Sequence, residues 1–166
     1  MTTQTETAIS ALVAALKTAS EADGSKLVAP LRNEDIVSRL VQVTDTLSAF
    51  LNVWDTAGDD RDEMLGADIA SGNRYDITQR VRIEFAVAGG SSGDREARWD
   101  DMRKAIWDAI KGAVSGDDVV FLGGAVDGIR LDRIEVPGDG HPTDGLPNIK
   151  AGAMIVALSF TSADPF

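Results

Sequence analysis

The stretch "RYDITQRVRIEFAVAGG", residues 74–90, constrains the fold of this chain more than any other. Tyr75, Ile77, Val81, Ile83, Phe85 and Val87 alternate with Asp76, Thr78, Arg80, Arg82 and Glu84. A period of two places the first set on one side of a strand and the second on the other. A strand that long, apolar on one side only, requires neighbours along its edges and a layer packed on its apolar face.

Residues 95–114 offer that layer. Trp99, Met102, Ile106, Ile110 and Ala113 recur at helical spacing, with Trp107 and Val114 at the margin. Asp94 is placed to cap this helix, and Glu96 strengthens its start. A first helix is predicted over residues 5–20, where Thr3 and Glu6 have capping-box spacing and Ile9, Leu12, Val13 and Leu16 share a face. A further helix is predicted to open at Asn33, with Glu34 and Asp35 in its first turn. "LSAFLNVWD", residues 47–55, reads as a strand. "TAGDDRDEMLGADIASGN" reads as an exposed loop with one helical turn around Met64.

Val119–Leu122 is a candidate short strand and Ile129–Val136 a longer one. In the latter, the apolar positions slip from Ile129 and Leu131 to Ile134 and Val136, the pattern of a β-bulge. "PGDGHPTDGLPN" is a long turn. Lys150–Thr161 alternates again, so antiparallel pairing across that turn is predicted. The expected fold is α+β: a mostly antiparallel four-stranded sheet with helices packed on one face, in one domain spanning 1–166.

Composition excludes several chemistries. With no cysteine there is no disulfide, thiolate nucleophile or thiolate metal site. His141 is the single histidine, so a zinc site or a Ser-His-Asp relay would rest on one loop residue. The net charge of −11 opposes tight binding to nucleic acid phosphates. No apolar run has the ~20 residues of a membrane helix, and the first residues lack the pattern of a secretory signal.

The remaining motifs read structurally. "GDDRDEM", residues 58–64, clusters carboxylates without the spacing of a calcium loop, and a solvated loop accounts for it. The glycine stretches after Val87 and Leu122 lack the Lys-Ser/Thr pair of a phosphate loop, and turn chemistry accounts for them. Trp99 and Trp54 read as core, and Trp107 as an edge or interface residue. No catalytic, cofactor-binding or metal-ligating residue is assigned. The charged face of 74–84 has two readings: a solvated surface of cross-strand ion pairs, or a surface for self-association in electrostatic register.

The order of elements resembles the tail terminator, or tail completion, proteins of long-tailed phages and gene-transfer particles. The features that carry the likeness are the N-terminal helix "AISALVAALKTA", the strands "LSAFLNVWD" and "YDITQRVRIEFAVAG", the helix "REARWDDMRKAIWDAIKGAV" and the closing strand "AGAMIVALSFTSADPF". The likeness covers nearly the whole chain as architecture rather than as one motif. It implies a structural virion protein, not an enzyme and without cofactor, assembled in a bacterial host cytoplasm. Six copies would form a ring at the head-proximal end of the tail. That ring would touch the tail tube protein and a head-side connector, with DNA passing through unbound. The subunit-interface candidates are then Arg74, Asp76, Arg80, Arg82, Glu84 and Trp107. The alternatives are a neck or head-completion protein at the same junction, or a small-ligand-binding α+β domain.

Overall fold

A computed structural model describes residues 2–22, 29–35, 47–55, 62–64, 75–115, 118–135 and 148–162. Helix α1 spans Gln4–Ala22. Thr3 Oγ1 accepts from the Glu6 amide at 3.2 Å, which makes half of the predicted capping box. The other half is missing because the Glu6 carboxylate turns away to Arg32. Strands β1 (Leu31–Arg32), β2 (Ser48–Trp54), β3 (Asp62–Met64) and β4 (Tyr75–Ala88) follow. Helix α2 spans Ser92–Ile110. A small ribbon of β5 (Ala113–Ser115) and β6 (Asp118–Val120) leads through a 3₁₀ turn at Leu122–Gly124 to β7 (Gly128–Glu135) and β8 (Ile149–Ser162).

The fold is α+β, as expected, but among the described residues the main sheet has six strands rather than four. Its order is β1-β2-β4-β8-β7, with β3 also paired to β4. Every pairing is antiparallel except β1 with β2, so the sheet is mixed. β2 runs beside Arg82–Ala88 of β4, and β3 beside Asp76–Thr78. The two lie in succession along the same side of β4, and β1 covers part of the outer side of β2.

Three local expectations are corrected. The turn expected at Met64 is the strand β3, because that segment finds ladder partners on β4. No helix opens at Asn33: residues 33–35 are irregular, and Asn33 takes a left-handed φ of 54°. Its side chain exchanges hydrogen bonds with Asp55 instead, which holds the chain against the end of β2. The rest of that expected helix lies outside the described residues. Helix α2 begins earlier and ends earlier than its apolar period. Ser91 is the N-cap and Asp94 completes a capping box with it, and Gly112 at φ 88° turns the chain so that Ala113 and Val114 enter β5.

The core lies between the helices and one face of the sheet. Leu12 and Leu16 of α1 and Trp99, Met102, Ile106 and Ile110 of α2 cluster with Leu51 and Val53 of β2. The same cluster takes Val81, Ile83, Phe85 and Val87 of β4 and Met154, Val156 and Leu158 of β8. The predicted alternation of β4 thus puts its apolar residues inward. Gln79 breaks the pattern: it is buried on the inner face, and its amide donates to the carbonyls of Asp55 and Arg80.

Candidate functional site

The charged face of β4 is the surface that the sequence singles out, and the strands beside it decide its chemistry. Direct partners across the sheet share a face. Glu84 and Arg82 face the same way as Asn52 and Trp54 of β2 on one side, and as Ala153 and Ile155 of β8 on the other. Beyond β8, the same face carries Arg130, Arg133 and Glu135 of β7.

The bulge makes this possible. Leu131 pairs with Val156 and Arg133 with Ile155, so Asp132 is the extra residue. Without it, Arg133 and Glu135 would follow Ile129 and Leu131 to the core side. One inserted residue resets the parity, sets Ile134 on the helix side of the sheet, where it stays exposed, and turns both charges to the other face.

Two ionic rows result. In the first, Glu84 accepts from the Trp54 indole at 2.7 Å and the Asn52 amide at 3.3 Å. Arg82 bonds Glu84 at 3.0 Å and Glu135 at 2.6 Å, and Glu135 holds Arg133 at 2.9 Å. In the second, Asp132 bridges Arg80 at 2.9 Å and Arg130 at 2.8 Å. Burial pushes the Asp132 carboxyl up, but the hydrogen bonds from Arg130 and Arg80 outweigh it and hold it below the ordinary aspartate value.

Both rows pass over β8 without a polar side chain from it. Strands two apart lie roughly 10 Å from each other, a span that an arginine stem covers only by lying flat. The β8 residues beneath are Ala153, Ile155 and Ala157, all buried although they face away from the helices. Small residues on β8 therefore give the arginines of β4 a floor to cross. At the other end of this face, Ala86, Ala88 and Ala151 form a second apolar cluster with Leu31, Phe50 and Ile149.

Each interface candidate can now be placed. Arg80, Arg82 and Glu84 are half-buried and bonded within the chain, so the reading of the face as cross-strand ion pairs describes them. Asp76 is exposed, and Thr161 Oγ1 lies 3.5 Å from its carboxylate. Trp107 is partly buried against the core. Arg74, like His141, Asp59 and Asp60, lies outside the described residues. Besides Asp76, the charges of this face that reach furthest into solvent are Arg130 and Arg133 on β7, with side chains 69% and 68% exposed. Reading β4 alone missed them. The signal was the slip at 131–134, which moves Arg133 to the face of Arg130.

No family model matches the chain, and no curated protein matches it. The surface has to be read from its own chemistry. Among the described residues no three histidines or carboxylates gather as a metal site, and no helix there is long and apolar enough to cross a membrane. What the face offers is an ordered, rigid ionic sheet surface.

A second ionic centre fixes α1 to the sheet. Arg32 of β1 reaches both oxygens of Glu6, at 2.7 and 2.6 Å, and both of Asp55, at 2.7 and 2.9 Å. The Arg32 hydrogen bonds come first among the causes that lower the Glu6 carboxyl to about 2. A two-residue strand thereby ties the first turn of α1 to the end of β2.

The rows give a graded expectation. Arg82→Ala leaves Glu84 and Glu135 without their shared cation in a half-buried setting and is expected to cost about 1–3 kcal/mol. Arg130→Ala removes a largely exposed partner and is expected to cost under about 0.5 kcal/mol. Urea denaturation of both variants checks this; equal losses would show that the first row is no more than a solvated surface.

Proposed function

We propose that this chain is a structural, non-enzymatic virion subunit: a tail terminator whose ring caps the tail tube, ends its growth and joins the tail to the head. The observation that carries the reading is the arrangement of elements. Among the described residues, a helix, short strands along one side of β4, the long two-faced strand β4 itself, a long helix and a closing antiparallel pair follow in order. The helices α1 and α2 contribute to one core against one face of the sheet. The resemblance implies that arrangement, with a ring of six copies, head-to-tail contacts and closed rotation.

The rigid charged face supports the reading in a second way. Its rows are closed within the chain, so the sheet presents a fixed surface to a neighbour rather than a set of loose side chains. A net charge of −11 suits a channel through which DNA must slide.

Electron microscopy of tail tubes tests the proposal. With the chain present, tubes are expected to end at a defined length with a ring at one end, and gold-labelled chain is expected at that end alone. In its absence, tubes are expected to grow past that length. Label found only on the head side of the junction would move the chain to a neck role. A chain that stays monomeric at high concentration and never marks a tube end would end the proposal.

A further inference from the structure

We draw no further inference here: the strongest candidate, the apolar end of the sheet face turned away from the helices, where Leu31, Phe50 and Ile149 pack around Ala86, Ala88 and Ala151, has nothing among the described residues to show what covers it.

Discussion

Phe85→Ala is expected to lower the stability of the chain by about 3–5 kcal/mol, against a total of roughly 5–15 kcal/mol for a domain. Phe85 is fully buried toward the C-terminal end of the long strand. Its ring stacks on Trp99 with centroids 5.2 Å apart and planes 29° apart. That contact contributes beyond burial, by about 0.5–1.5 kcal/mol. Gly152 is its direct partner on β8 and Leu51 its partner on β2. With a glycine on one side, β8 has no side chain at that position to fill the space, which keeps the cavity larger. In thermal unfolding the midpoint is expected roughly 6–20 °C lower. Leu51→Ala removes less volume from the same layer and should cost about 2–5 kcal/mol. A Phe85→Ala loss under about 1 kcal/mol would mean that β4 and α2 are not clamped through this pair.

How much of this could be read from the sequence depends on how each feature is specified. β4 was legible almost to the residue, since a period of two sustained over many positions fits an extended strand with one buried face and little else. The buried face of α2 was legible for the same reason at a period of 3.6. Its ends were not: apolar residues at Ala113 and Val114 kept the helical phase, whereas Gly112 turns the backbone out of it. β1 and β3 are two and three residues long, too short for any period, and they exist because β2 and β4 supply ladder partners.

The ionic rows illustrate a different limit. Arg80, Arg82 and Glu84 announce a charged face, but the residues that satisfy Arg80 and Arg82 come from β7, two strands away and some fifty positions later. Sequence spacing holds no trace of that neighbourhood. The bulge did leave a trace, as a slip in alternation. Its consequence, that Arg133 joins Arg130 at an exposed edge, appears only when β7 is set beside β8. A residue type can thus mark a face as charged while the sheet order decides whether the charge is closed within the chain or left at its rim.

Gly152 is where the core and that rim meet, and Gly152→Val is expected to abolish folding. A Cβ at this position would lie 2.8 Å from the carbonyl oxygen of Glu135 and 2.9 Å from Cζ2 of Trp99. Neither neighbour can give way easily. Trp99 is buried, held against Phe85, with the Arg103 guanidinium 5.3 Å and the Lys150 ammonium 4.5 Å from its ring centroid. Lys150 is in turn bonded to Glu96. The Glu135 carbonyl belongs to the last residues of β7 paired with β8. Gly152→Ala alone is expected to cost about 1–3 kcal/mol through overpacking; valine adds two methyl groups that the same wall excludes. Trp99→Phe should relieve the ring contact but not the carbonyl contact, so the double variant Gly152→Ala/Trp99→Phe should lose less than the sum of the two single losses. Displacing Glu135 also disturbs its bonds to Arg82 and Arg133. Urea denaturation of the single and double variants checks this; strictly additive losses would show that a Cβ at 152 does not press on the Trp99 ring.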